Sequence, residues 1–343
     1  MNKSTLAILD IDERYLFKLQ SLLEERESFP FSVGIYTNIS HVMRDIEKGL
    51  IDILLISDQL FNPDDNLFRS AKLLVILLGS GVFKSDDIPY IWKFQSGEAI
   101  RREILSYYTD HRSVSEKDSK SEGMHYYSGH KSTKIIGIFT PIQRCLQTSF
   151  SIHLGQALSE TSPALYLNLE PLSNLAPINN PKERDLSDLI YYLRSGNERL
   201  IYKLESLVRR IKNLDYIPPA RSFIDLSSVS KEDWLLLLDT LTSFGSYDYI
   251  LLDLSFSVSG LLDVLRRCDY IVSINHTDSY ALEKQEQFIN ILKTLDYTDI
   301  LTKTKYIDLS MVNLSQNELS ALSSSNIMSA VKKYISEELI HGL

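Results

Sequence analysis

Lys134-Ile135-Ile136-Gly137-Ile138-Phe139-Thr140-Pro141-Ile142-Gln143-Arg144-Cys145-Leu146-Gln147-Thr148-Ser149-Phe150 is the stretch that decides the fold. Its first six residues form an apolar run of strand length, and Thr140-Pro141 closes it. An apolar helical pattern then runs from Thr148 to Leu158. A strand that turns directly into a helix gathers backbone N–H groups and the positive end of the helix at one point, where phosphate-binding loops sit. Such a loop needs glycines, so that the backbone can approach phosphate, and lysine to neutralise it. Between Pro141 and Thr148 there is neither. The scaffold of a phosphate loop is present and its chemistry is removed.

Working outward, the region after residue 133 alternates strand and helix patterns. Strands are expected at Ile135–Phe139, Ala164–Leu169, Ser222–Asp225, Tyr249–Leu254, Tyr270–Ile274 and Lys305–Ile307. Helices are expected at Thr148–Leu158, Asp185–Leu193, Glu198–Ile211, Lys231–Leu241, Ser259–Arg267, Ser279–Leu295 and Asn326–Leu339. The first third behaves likewise. Apolar runs at Leu6–Leu9, Phe31–Tyr36, Ile51–Ile56, Leu73–Leu78 and Tyr90–Trp92 are interleaved with helical spacing at Tyr15–Glu27, His41–Lys48 and Glu98–Tyr108. Continuous apolar strands separated by amphipathic helices predict parallel sheets covered on both faces. Residues 111–132 are polar and support no core, so they form the expected linker. The chain thus divides into a first domain at 1–110, a linker at 111–132 and a second domain at 133–343. The fold class is α/β, with two doubly wound parallel-sheet domains.

Composition narrows the function. Two domains suit 343 residues. A formal charge of −9 argues against nonspecific binding to nucleic acid or anionic membrane. Cys145 and Cys268 are the only cysteines and carry no disulfide framework or zinc spacing. No apolar run reaches the length of a spanning helix, and no signal-peptide core follows Met1. The seven histidines are dispersed, without metal-ligand spacing. Ser/His/Asp triads find no nucleophile-elbow sequence. The C-terminal helix carries Lys332 and Lys333 against Glu337 and Glu338, a weak membrane anchor, so its apolar side is expected to pack on protein.

Strand ends carry the chemistry. In the first domain, acids follow the first strand (Asp10, Asp12), Ser57-Asp58 follows the third, Gly79-Ser80 closes the fourth and Lys93 follows the fifth. This domain resembles the flavodoxin-like receiver fold of response regulators. Receivers hold magnesium on an adjacent acidic pair and accept a phosphoryl group on an aspartate after the third strand. Here the acids are not adjacent, and Ser57 stands at the acceptor position with Asp58 one residue late. A carboxylate displaced by one residue points elsewhere, so a pseudo-receiver is expected, with Asp10, Asp12, Ser57, Asp58 and Lys93 as its receiver-like cluster and Asp10, Asp12 and Lys93 solvated without a bound metal.

The second domain resembles the MinD/ParA group of P-loop ATPases (the SIMIBI class). Together with the domain order, this is similar to the TadZ/CpaE proteins of Flp (tight adherence) pilus systems. On that resemblance Ile142 replaces the signature lysine, Gln143, Arg144 and Leu146 stand at three glycines, and Gln147 replaces the phosphate-binding lysine. Thr148 keeps the magnesium-binding hydroxyl and Ser149 follows it. Asn168 and Glu170 occupy an aspartate pair, and Asp253 is the intact acid of Walker B. Removing two lysines removes the charge that stabilises a transferring phosphoryl group.

The resemblance implies a non-catalytic, cytoplasmic localisation or assembly factor, a pseudo-ATPase with no catalytic residue expected. It would be recruited to the pole or the inner face of the membrane by pilus-assembly or polar proteins. A homodimer formed without nucleotide is expected, with no nucleic acid, no stable membrane insertion and no firm metal. No cofactor is firmly implied. The alternative is a slowly hydrolysing or non-hydrolysing ATP switch that holds ATP and Mg2+ at a residual site of Thr148, Ser149, Glu170 and Asp253. A third reading makes Asp58 a phosphorylated regulator. No helix-turn-helix or basic stripe supports a DNA-binding output.

Overall fold

A computed structural model describes residues 4–25, 29–62, 73–81, 88–115, 133–143, 146–176, 183–195, 200–309 and 325–336. The chain divides into two compact units, Met1–Glu122 with Glu198–Ser206, and Gly123–Asn197 with Leu207–Leu343.

The first unit is built on β1 (Ser4–Leu9), β2 (Phe31–Tyr36), β3 (Ile53–Ser57), β4 (Leu74–Gly79) and β5 (Tyr90–Trp92). They form one parallel sheet in the order β2-β1-β3-β4-β5, the flavodoxin-like order. Helices α1 (Glu13–Glu24), α2 (Ile39–Glu47) and α3 (Gly97–Ser115) flank it. Successive side chains of a strand point to opposite faces, and the core divides accordingly. Leu6 and Ile8 of β1 join Leu16 and Leu19 of α1 and Ile100 and Ile104 of α3. Ala7 and Leu9 join Val42 of α2 on the other face. Asp12 and Asn38 cap α1 and α2 by accepting backbone N–H bonds.

The second unit holds β6 (Lys134–Ile138), β7 (Ala164–Leu169), β8 (Arg209–Ile211), β9 (Leu214–Ile217), β10 (Tyr249–Leu254), β11 (Tyr270–Asn275) and β12 (Thr304–Asp308). The sheet order is β12-β11-β6-β10-β7-β9-β8, parallel except for the β8–β9 hairpin at its edge. Its helices begin with α4 (Gln147–Leu158) and α5 (Leu186–Arg194); α6 (Leu200–Leu207), all but its last residue part of the first unit, precedes β8. Then come α7 (Phe223–Ser227), α8 (Lys231–Phe244), α9 (Leu261–Arg267), α10 (Ser279–Thr294), α11 (Thr298–Lys303) and α12 (Ser325–Tyr334). Ile136, Ile138, Tyr166 and Leu251 meet Phe150 and Leu154 of α4, with Ile327, Val331 and Tyr334 of α12 in the same cluster. The C-terminal helix therefore spends its apolar side on protein; Leu339 lies outside the described residues.

The structure adds α11, which no expected helix covers, and departs from the sequence expectation in four further places. Ser222–Asp225 is not a strand: Ser222 accepts the Ile224 N–H and starts α7. A short apolar run fits either pattern, and the cap decides it. Glu198–Ile211 is not one helix. It stops at Leu207, and Arg209–Ile211 becomes β8, turned into β9 by Lys212 at φ 57°. The linker expected at 111–132 loses its first residues to α3, which continues to Ser115; residues 116–132 lie outside the described residues.

The fourth departure concerns the domain boundary. Glu198–Ser206 belongs to the first unit, not to a continuous 133–343 domain. There Glu205 pairs with Arg101 of α3 at 3.0 Å and Lys203 with Asp110 at 2.6 Å. Tyr202 joins the rings of Phe31 and Tyr108.

Candidate functional site

The carboxyl ends of β6, β7 and β10 converge on the turn quoted at the outset. Strand register sets Asp253 beside Asn168 on one side and Ile138 on the other. Asp253 is fully buried, and its carboxylate is claimed by neutral neighbours. Gln147 donates its amide to Oδ1 at 2.7 Å, and the Tyr166 hydroxyl donates to Oδ2 at 2.8 Å. Asn168 in turn donates to the Tyr166 oxygen at 2.9 Å. The Gln147 amide also reaches the Leu254 carbonyl at 2.8 Å, while its own oxygen accepts the Thr140 N–H at 2.9 Å. One neutral side chain thus ties together the ends of β6 and β10. Burial pushes the Asp253 carboxyl up, and hydrogen bonds from Gln147, Thr148, Tyr166 and Ser151 pull it partly back.

Two described residues of the turn adopt the left-handed backbone that glycine favours. Gln143 and Leu146, two of the glycine positions, lie at φ 64° and 58°. An L-residue in the left-handed region costs about 1–2 kcal/mol, so the bulky residues do not abolish the turn; they hold it under strain. Arg144 and Cys145 lie outside the described residues. Leu146 gives α4 no side-chain cap. Ile142, at the position of the signature lysine, is buried in the core.

A cleft of ≈ 510 Å3 remains in front of this turn, with Thr148, Ser149 and Glu170 in its walls and Phe139 and Phe256 in edge contact at one side. Among the described lining residues Glu170 is the ionisable group, and there is no lysine or arginine. Burial, and then repulsion from Asp253, raise the Glu170 carboxyl from 4.5 to about 7. The four residues expected at a residual nucleotide site are therefore together. Their donor set does not fit Mg2+ with a triphosphate, because both oxygens of Asp253 are already hydrogen-bonded and no described cation faces the cleft.

At the strand ends of the first unit, Asp10 is fully buried and takes the Lys93 ammonium at 2.6 Å. Its other oxygen accepts the Asp12 N–H at 2.9 Å, while Asp12 accepts from Tyr15 N–H as the helix cap. Lys93 also stands 4.4 Å from the centre of the Tyr15 ring. Ser57 ends β3 as a buried residue. Asp58, also buried, accepts three bonds from the β4 end: Ser80 N–H at 2.8 Å, Ser80 hydroxyl at 2.8 Å and Gly81 N–H at 3.1 Å. Four of the five expected residues thus fall into two separate pairings, Asp10–Lys93 with Asp12, and Asp58 with Ser80, while Ser57 joins neither; the expected solvated cluster is instead largely buried, because Asp10 takes Lys93 inside the strand ends. No cluster of three or more His, Cys, Asp or Glu able to hold a metal occurs among the described residues.

Sequence reasoning missed Tyr166. The signal was available: Tyr166 and Asn168 are two apart on β7, so they share a face, and that face is level with Asp253. It also took Gln147 as a lost cation, without its role as a donor.

Residues 2–109 match the family model described as the TadZ-like receiver domain. No curated protein matches the chain. Among solved structures, a ParA family ATPase from Chlorobium tepidum TLS is similar at 18% identity, covering 59% of this chain and 81% of that one, with a TM-score of 0.43. A plasmid partition protein from Borrelia burgdorferi is similar at 16% identity, over 62% of this chain and 100% of that one, TM-score 0.44. The MinC:MinD cell division protein complex of Aquifex aeolicus gives 17% identity, 58% and 78% coverage, and a TM-score of 0.37. No helix among the described residues is long and apolar enough to cross a membrane. The first unit thus matches a TadZ-like receiver domain, and the second is a mostly parallel α/β sheet unit.

Proposed function

We propose that this protein is a non-catalytic localisation or assembly scaffold of the TadZ/CpaE type, acting in pilus biogenesis through protein surfaces. The observation that carries this reading is Gln147. A neutral amide stands where the phosphate-binding lysine would be, and it is already committed to Asp253, Leu254 and Thr140. Charge stabilisation of a transferring phosphoryl group is the main source of catalysis in this chemistry. Here the loop carries neither lysine of the family pattern, and among the described lining residues the ionisable one is a carboxyl. The receiver-like site is self-satisfied in the same way. Its partners would be pilus-assembly or polar proteins in the cytoplasm or at the inner face of the membrane, and it would form a homodimer without nucleotide.

The surviving cleft and the Thr148 hydroxyl favour one second reading, an ATP-binding switch that hydrolyses slowly or not at all. Calorimetric titration of the full chain with Mg-ATP separates the two. No heat of binding at millimolar nucleotide is the expected result. Micromolar affinity that Asp253→Ala abolishes would replace the scaffold with the switch.

A further inference from the structure

The cleft at the carboxyl ends of β6, β7 and β10 carries a charge that its own residues do not balance. Its described walls hold one carboxyl, Glu170, and no lysine or arginine. That carboxyl is half-buried and has no hydrogen-bond or ion-pair partner among the described residues. Only the backbone N–H of Glu170 is engaged, donating to Asn168 at 3.0 Å. Asp253, whose repulsion reaches Glu170, is fully buried and held by uncharged donors. An acid withdrawn from water is stabilised by hydrogen bonds or by a paired charge. Asp253 has the hydrogen bonds; Glu170 has neither.

Three features select the cation that suits this carboxyl. A metal ion is poorly served, because both Asp253 oxygens are taken and no group of three or more His, Cys, Asp or Glu able to hold one occurs among the described residues. The space of ≈ 510 Å3 is that of a small-molecule site. One wall is the Phe256 ring, 52% exposed and nearly perpendicular to Phe139, with ring centres 5.1 Å apart. An aromatic face attracts a cation, and guanidinium is the group most often found there. The hydroxyls of Ser149 and Ser257 line the same space and can accept its N–H groups. We propose that the cleft binds a small organic monocation of the alkylguanidinium class, with its charge set against Glu170 and its plane or stem against Phe256. The inference rests on the reading of this cleft as closed to a triphosphate, and gives it a ligand of the opposite charge.

The test titrates the full chain by calorimetry with butylguanidinium, with butylurea as its uncharged isostere, and with butyl phosphate. Butylguanidinium is expected to bind about tenfold tighter than butylurea, and butyl phosphate not to bind. Glu170→Gln keeps the shape of the side chain and should erase the preference for the cation. Phe256→Leu should weaken butylguanidinium about threefold, the loss of one exposed cation–π contact. Glu170 is half-buried and Phe256 exposed, so both variants should fold, which urea unfolding read on Trp234 checks. Arg144 belongs to the same turn but lies outside the described residues, so it is tested as Arg144→Gln. Four results would overturn the proposal: no binding of butylguanidinium, equal binding of butylurea or of butyl phosphate, a preference for the cation that survives Glu170→Gln, or cation binding that appears only with Arg144→Gln, which would make the chain its own counter-ion. Mg-ATP titration of the same preparation judges the scaffold reading separately, since failure of the cation to bind leaves a cleft that still refuses ATP.

Discussion

The two strand-end sites are both closed by their own side chains, but by different physics. In the first unit the charged groups remain and have paired with each other: Lys93 with Asp10, and Asp58 with the hydroxyl and amides of Ser80 and Gly81. In the second unit no lysine or arginine is among the described residues lining the cleft, and a buried acid is held by an amide, a phenol and hydroxyls. An ion pair gains from mutual attraction but leaves a large penalty when one member is removed. A neutral network loses only hydrogen bonds. The first site is therefore closed by an ion pair and by backbone and hydroxyl donors, and the second by uncharged donors gathered on one buried acid.

The sharpest way to break this contrast is Lys93→Met. It strands the fully buried Asp10 carboxylate, keeping only the bond from Asp12 N–H. A loss of about 3 kcal/mol is expected for an orphaned buried charge. The chain has two tryptophans, Trp92 in the first unit and Trp234 in the second, so urea unfolding of each unit can be read separately by replacing the other with phenylalanine. The additional change Asp10→Leu should recover most of the loss, because it removes the charge that was stranded. If Lys93→Met is neutral, the pair does not hold the first site.

Gln147→Leu tests the second site. It removes two donated bonds and one accepted bond, but Tyr166 and Thr148 still serve Asp253. About 2 kcal/mol should be lost, as expected for buried polar groups left short of partners, read on Trp234. A larger effect here than at Lys93 would reverse the comparison. It would mean that the amide network carries more of its domain than the ion pair does.

Sequence alone exposed much of this arrangement, for reasons visible in particular residues. Ala164–Leu169 and Tyr249–Leu254 are buried on both faces, so their apolar runs end where the strands end. The same property put Asn168, Glu170 and Asp253 at one end of the sheet before any coordinates. The hairpin at Arg209–Ile217 was hidden. Its two short strands extend a helical apolar pattern, and the reversal rests on Lys212 in a left-handed turn that carries no glycine signal. Gln143 and Leu146 show the converse: residues that disfavour positive φ adopt it, because the surrounding strand and helix fix the path of the turn. Asp58 directly follows β3, and only the structure shows that Ser80 and Gly81 meet it there.

The smallest effect concerns Glu170, because its carboxyl is only partly buried and solvent screens it, and it separates the sites by pH. Its carboxyl is raised from 4.5 to about 7 by burial and by Asp253. The folded state therefore holds a proton that the unfolded chain releases, so between these values protons favour folding. The contribution of Glu170 to stability is present below 4.5 and is lost as pH rises towards 7 and beyond. Glu170→Gln, which cannot ionise, should show no such loss. The difference in urea midpoint between the variant and the parent, read on Trp234, should grow in favour of the variant from pH 5 to pH 7 and then level off. A parallel pair of curves would show that the cleft solvates Glu170 freely. The acid would then be an ordinary surface carboxylate, and the cleft would lose the buried repulsion that sets it against a triphosphate.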